Sequence, residues 1–285
     1  MIRQLFLAAL AVALGASGAA ASADERSDMR KMAEQHKHDT PAASPAATAE
    51  PARPVDAEEV TYGEAAGKPL RGYLAHPRGA RGALPAIVVI HEWWGLNDNI
   101  RAMTRRLAGE GYLALAVDLY GGAKADNPDA AMKLMSAAME NKAPVEENLR
   151  RAVAHLKTHG APRIGVIGWC FGGAWSLQTA LLVPDQIDAA VVYYGRPETD
   201  KEKLARLRAP LLGLFGVEDK GIPVAAVREM EGTLKQLGKS VDFHYYEGAG
   251  HAFANPSGTS YRAEAAEDAW KRTTGFLKQY LKTKG

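Results

Sequence analysis

Short runs of consecutive apolar residues recur through the chain, each separated from the next by a stretch with helical spacing. Ala86 to Ile90 reads AIVVI, and LALAVDLY, RIGVIGWC, DAAVVYY (Asp188 to Tyr194) and PLLGLFG (Pro210 to Gly216) follow the same pattern. A strand with one wet face alternates polar and apolar residues. A strand that is apolar at odd and even positions alike has to be covered on both faces. Between these runs, NIRAMTRRLAGEGY carries Ile100, Met103 and Leu107 at helical spacing before a glycine stop. Further helices are predicted over residues 130–140, 145–159, 172–182, 223–237 and 264–281, and VDFHYY (Val241 to Tyr246) is a last strand. Strands alternating with helices imply right-handed crossovers and a mostly parallel sheet covered on both sides. EVTYGEAAGKPLRGYLAHP, ahead of the first buried run, reads as a hairpin. No internal repeat and no domain boundary interrupts residues 58–285.

The N-terminal portion has a different texture. MIRQLFLAALAVALGASGAAASADE combines a positive Arg3, an apolar stretch from Leu5 to Leu14 and an Ala21-Ser22-Ala23 cleavage pattern. It is expected to be a secretory signal peptide over residues 1–23, too short for a membrane span, so that the mature protein is secreted, to the periplasm if the cell is Gram-negative. Residues 24–57 are rich in Ala, Pro and charge and lack apolar periodicity, so a disordered linker is expected there. His36 and His38, with Met29 and Met32, could hold a metal weakly, but a solvated polar tract is the favoured reading and no metal site is assigned. The net charge of +2, with both signs interspersed, carries no nucleic-acid footprint.

Chemistry in such sheets collects in loops at the carboxyl ends of the strands. Four loops qualify: HEWWG, GWCFGG, GVEDKGIP and EGAGHAF. GWCFGG holds the only cysteine of the chain. A lone thiol in an exported protein is inert and buried, bridged to another molecule, or reactive. Gly168, Cys170 and Gly172 give the spacing of a nucleophile elbow, a sharp strand-to-helix turn that needs small neighbours on both sides of the nucleophile. The helix start behind it favours a thiolate. Asp219 in GVEDKGIP and His251 in EGAGHAF complete the order nucleophile, acid, histidine, with Glu218 as a competitor for the acid. Cys170 would attack a carbonyl carbon, His251 would carry the proton, and Asp219 would orient the imidazole.

IVVIHEWWGLNDNIRAMTRRLAGEGYLALAVDLYGG, IGVIGWCFGG, VVYYG, GVEDKGIP and YYEGAGHAFANP together resemble the dienelactone hydrolase family, from about residue 60 to the C-terminus. The resemblance implies the α/β-hydrolase fold and a Cys-His-Asp triad at Cys170, His251 and Asp219, with no cofactor and no metal. It implies that Glu92 acts on the thiol, taking its proton once substrate has moved the carboxylate. It also implies an oxyanion hole from the backbone amides of Phe171 and Trp93, worth several kcal/mol of barrier.

Two departures from the family pattern bear on substrate. Asn255 stands where an arginine four residues after the histidine is usual, and Ala252 where a serine is usual. Downstream of DLY the chain has Lys124 and Lys133 but no arginine. Bidentate recognition of an anionic lactone is therefore weakened. Trp94, Tyr120, Trp169 and Phe253, with Trp93 and Asn255, are the candidates for an aromatic substrate pocket. The resulting expectation is a monomeric exported hydrolase of small-molecule esters or lactones, without nucleic-acid partners or stable membrane insertion. A non-catalytic binding protein on the same fold, and a thioesterase or other acyl transferase, stay open on the sequence.

Overall fold

The computed structural model describes residues 27, 30, 31, 33, 34, 36–39, 41 and 50–282. The signal-peptide region, Met29 and Met32 lie outside the described residues. The chain opens with a hairpin, β1 (Val55–Ala65) and β2 (Lys68–Pro77), paired antiparallel with a bulge between Thr61 and Gly63. Ala66 and Gly67, both with positive φ, form its two-residue turn. β1 thus begins three residues before the boundary read from the sequence. The buried runs follow as β3 (Ala86–Ile90), β4 (Leu113–Val117), β5 (Ile164–Trp169), β6 (Ala189–Tyr193) and β7 (Leu211–Gly216), and β8 (Val241–Tyr246) closes the set. Every residue of β3 to β7 is buried, odd and even positions alike, so both faces of the central sheet are covered.

The intervening helices are α1 (Asp98–Gly109), α2 (Pro128–Glu140), α3 (Lys142–Thr158), α4 (Phe171–Leu182), α5 (Lys201–Ala205), α6 (Val224–Gln236) and α7 (Ala263–Leu281). Asn97 and Asn127 cap the starts of α1 and α2 by accepting from Ile100 N and Ala130 N. α1 packs on β2 and β4, α3 on β1, β3 and β4, α4 on β3, β5 and β6, and α7 on β5 to β7. The five-residue α5 has no counterpart in the sequence reading.

The eight strands lie in the order β1-β2-β4-β3-β5-β6-β7-β8, with β3 to β8 mutually parallel. After β3 the chain moves to one side for β4, then returns to the other side for β5. The loops leaving β3 and β5 therefore diverge between neighbouring strands, and the crevice between them is the switch point at which such sheets bind ligands. This is an α/β-hydrolase sheet, and the sequence's HEWWG and GWCFGG loops flank that crevice.

The turn after β5 depends on backbone contact that no side chain permits. A Cβ on Gly168 would overlap the Gly172 backbone, one on Gly172 would meet the carbonyls of Ile90 and His91, and one on Gly173 would lie 2.5 Å from Tyr193 O. Gly232, within α6, faces open space. Gly173→Ala is expected to cost about 3 kcal/mol through forced backbone displacement, lowering the thermal midpoint by roughly 6–12 °C for a domain of this size. Gly232→Ala should raise stability slightly, by about 0.5–1 kcal/mol from helix propensity. Calorimetry of the two variants checks the contrast.

Candidate active site

Cys170 is the residue at which β5 ends and α4 begins. Its backbone is left-handed at φ 56°, a conformation rare for a residue with a Cβ. The strand ladder reaches it through Cys170 N, which donates to Tyr193 O at 3.0 Å, and α4 starts from its carbonyl, which accepts from Ala174 N at 3.1 Å. The sulfur thus stands at the helix N-terminus, where the unpaired amides of the first turn favour negative charge. Phe171 is the first residue of α4, so its amide is one of those donors.

His251 and Asp219 come from the loops after β8 and β7. His251 is 2% exposed and its Nδ1 donates to Asp219 Oδ2 at 2.7 Å. Asp219 is held in turn by Gly221 N and Ile222 N, which donate to its Oδ1 at 2.9 and 2.8 Å. Glu218 is exposed, so Asp219 is the carboxylate that meets the ring. Burial opposes charge on the imidazole. The charge of Asp219 and of Cys170, with hydrogen bonds to each, outweighs burial and raises the His251 pKa well above the ordinary histidine value. Among the described residues, Nε2, the nitrogen left over, has no well-aligned oxygen or nitrogen partner. Resting catalytic contacts are often loose in this way.

Glu92 lies in the loop after β3, 5% exposed. Asn255 Nδ2 donates to its Oε2 at 2.8 Å and the Tyr194 hydroxyl to its Oε1 at 3.5 Å. Asn255 is oriented for this because its Oδ1 accepts from Ser257 N at 2.9 Å. Burial pushes the Glu92 pKa up to about 7; the nearby Asp39 charge adds to the rise, while His251 and the Tyr194 hydroxyl oppose it. The preceding His91 is fully buried. Its Nδ1 donates to Glu92 O at 2.5 Å and its Nε2 accepts from Leu119 N at 3.2 Å, which fixes a neutral tautomer and the path of the loop.

Of the candidate pocket residues, Trp93, Trp94 and Asn255 line the cavity over the sulfur together with Cys170, His251, Glu92 and Ala252. Trp169 and Phe253 do not. Trp169 packs on Tyr193, and Phe253, fully buried, packs on Tyr194 and Tyr246, so both are core residues. Tyr120 packs edge-on against His91 and tilted against Phe171, and its buried hydroxyl feels the charge of Cys170 without lining the cavity. Lys124 and Lys133 are exposed.

Two contributions were not foreseen from the sequence. Tyr194, with φ 37°, sets its ring edge-on to His251 at 5.2 Å; its position just past a buried strand was the available signal. The second is the segment read as a disordered linker. His36 and Asp39, only 3% and 6% exposed, also line the cavity. No local pattern in that segment announces their burial. His38, by contrast, is exposed, and the described residues hold no cluster suited to a metal ion.

The model of the Dienelactone hydrolase family matches residues 70–281. The chain belongs to this family. As a dienelactone hydrolase family member it is a carboxylic-ester hydrolase acting on small molecules. A provisionally named carboxymethylenebutenolidase of Saccharolobus solfataricus is 33% identical over 262 residues, 79% of this chain and 99% of that protein. Protein usf of Aquifex pyrophilus is 36% identical over 223 residues, 75% and 95% of the two chains. Among solved structures, a provisionally named dienelactone hydrolase from Klebsiella pneumoniae superposes with a TM-score of 0.73 at 31% identity, covering 80% of this chain and 100% of that one.

The buried carboxyl of this family member has a testable signature. A folded-state pKa raised from 4.5 to about 7 means the folded protein binds the proton more tightly than the unfolded chain. The associated stability is fully present below pH 4.5 and is lost as pH rises through 7. Glu92→Gln escapes that loss. Its stability relative to the wild type should therefore climb by up to about 3 kcal/mol between pH 4.5 and 8, as measured by urea denaturation across that range.

Proposed function

We propose that this chain is an exported, cysteine-dependent hydrolase of small esters or lactones that works through an acyl-enzyme. The observation that carries the reading is the His251–Asp219 hydrogen bond of 2.7 Å beside a sulfur presented on a left-handed strand-to-helix turn. The raised pKa of His251, to which Cys170 contributes, favours a protonated imidazole beside the sulfur.

In the proposed cycle the Cys170 sulfur adds to the ester carbonyl carbon. The developing oxyanion is taken by the amides of Phe171 and Trp93. His251 gives its proton to the departing alkoxide, leaving a thioester. A water then enters, His251 takes its proton, and attack on the thioester releases the acid and restores the thiol. Asp219 keeps the Nδ1–H tautomer throughout and balances the imidazolium. Where the thiol is neutral at rest, Glu92 takes its proton and passes it to His251, so that attack begins from a thiolate beside an imidazolium and Glu92 is again a carboxylate. A carboxylate in this dry pocket is a stronger base than usual, and substrate that takes Asn255 from it frees it to swing towards the sulfur.

The pocket lining supports a neutral substrate over an anionic one. Trp93 and Trp94 are apolar, Asn255 is already committed to Glu92, and Lys124 and Lys133 point to solvent. Residues 1–23 are proposed as a cleaved signal peptide, which leaves His36 and Asp39 in the mature protein. No helix among the described residues is long and apolar enough to cross a membrane.

Purified protein is expected to hydrolyse p-nitrophenyl acetate, and iodoacetamide or Cys170→Ala should abolish turnover. Asp219→Asn should lower kcat by about 10³- to 10⁴-fold, the scale seen when a triad acid can no longer set its histidine's tautomer. Full activity after complete alkylation of Cys170 would exclude the thiol mechanism. Failure to turn over any ester, lactone or thioester would favour a binding protein.

A further inference from the structure

We propose that the segment containing His36 and Asp39 is an intramolecular strap: it occupies the acyl pocket of the resting enzyme and has to lift before substrate reaches Cys170. This inference rests on the hydrolase reading only for the word substrate; the closure itself is a matter of geometry.

Asp39 is the latch. Its Oδ1 accepts from both Thr259 N at 3.0 Å and Thr259 Oγ1 at 2.6 Å, so a carboxylate from the N-terminal segment is gripped by a residue eight positions beyond His251. Its Oδ2 accepts from His36 Nδ1 at 2.6 Å, and Asp39 N donates to His36 O at 2.9 Å, which folds the segment into a turn. That turn drives the His36 ring into the site. There it sits edge-on to His251, with centroids 5.4 Å apart, and against Trp93 at 6.3 Å.

Space decides what this contact does. The cavity bounded by His36, Asp39, Glu92, Trp93, Trp94, Cys170, His251, Ala252 and Asn255 measures about 10 Å³. That is near the minimum for a single water, for which about 10–15 Å³ is needed. No ester enters such a void. Withdrawal of the His36 imidazole makes room there for an acyl group.

The seating of the strap is also compatible with release. Among the described residues, buried His36 Nε2 has no hydrogen-bond partner, an unmet requirement that water satisfies once the segment lifts. Asp39 places a second carboxylate close enough to Glu92 to raise its pKa, so closure brings like charges together whenever Glu92 is ionised. The contact is held by one doubly bonded carboxylate and opposed by these two costs.

The test uses the full-length chain and reads access to the sulfur separately from catalysis. His36→Ala, Asp39→Asn and Thr259→Val are compared with the wild type for the second-order rate of Cys170 alkylation by iodoacetamide, and for kcat/KM on p-nitrophenyl acetate. Removing a charge-assisted latch of this kind should speed alkylation by roughly tenfold or more, and kcat/KM should rise in parallel. Asp39→Asn combined with Thr259→Val should add little to either alone, because both break one contact. Unchanged alkylation in both His36→Ala and Asp39→Asn would overturn the strap. Faster alkylation with a fall in ester turnover would overturn it too, since His36 would then be working in the open site. Faster alkylation in a protein that hydrolyses no ester would uphold the strap while removing the hydrolase reading.

Discussion

The site depends on one backbone conformation. Cys170 sits at φ 56°, which costs of the order of 1–3 kcal/mol for a residue with a side chain and persists only where its surroundings leave no alternative. Those surroundings are close backbone contacts: Gly168 against Gly172, Gly172 against the carbonyls of Ile90 and His91, and Gly173 against Tyr193. Relaxing the turn would drive backbone into backbone. The rigidity of β3, β5 and β6 therefore aims the sulfur, and the start of α4 supplies the positive field behind it.

Three buried carboxyl groups share this small volume and behave differently because their partners differ. Asp219 accepts from two backbone amides and from His251. Asp39 accepts from Thr259 twice and from His36, and its pKa is lowered: burial pushes it up, but these hydrogen bonds and the His36 charge prevail. Glu92 has only an amide and a distant phenol, and its pKa is raised. Asp39 and Glu92, chemically alike and both buried, are thereby shifted in opposite directions by their surroundings.

The parts of the architecture written in local patterns were legible in the residues. Strands β3 to β7 were readable because burial on both faces demands uninterrupted apolar runs, and the end of α1 was readable because the glycine stop at Gly109 and Gly111 marks it. The order of strands was not readable, since nothing in a crossover loop says to which side it turns. α5 is too short to show a period. Trp169 and Phe253 were misread as pocket residues because an aromatic beside a catalytic loop can face inward or outward, and neighbouring rings such as Tyr193 and Tyr194 decide. The burial of His36 and Asp39 lay furthest from reach: it comes from Thr259, 220 positions away from Asp39, with no signature in the segment itself.

The components of this site are dispersed along the chain. Glu92 follows β3, Cys170 follows β5, Tyr194 follows β6, Asp219 follows β7 and His251 follows β8, so an arrangement a few ångströms across is gathered from 160 residues of sequence. Non-local pairing of this kind is slow to complete. The imidazole arrives with the last strand to be synthesised. A nascent chain still emerging from the ribosome carries its thiol without that imidazole, and the two meet only when this edge of the sheet has docked.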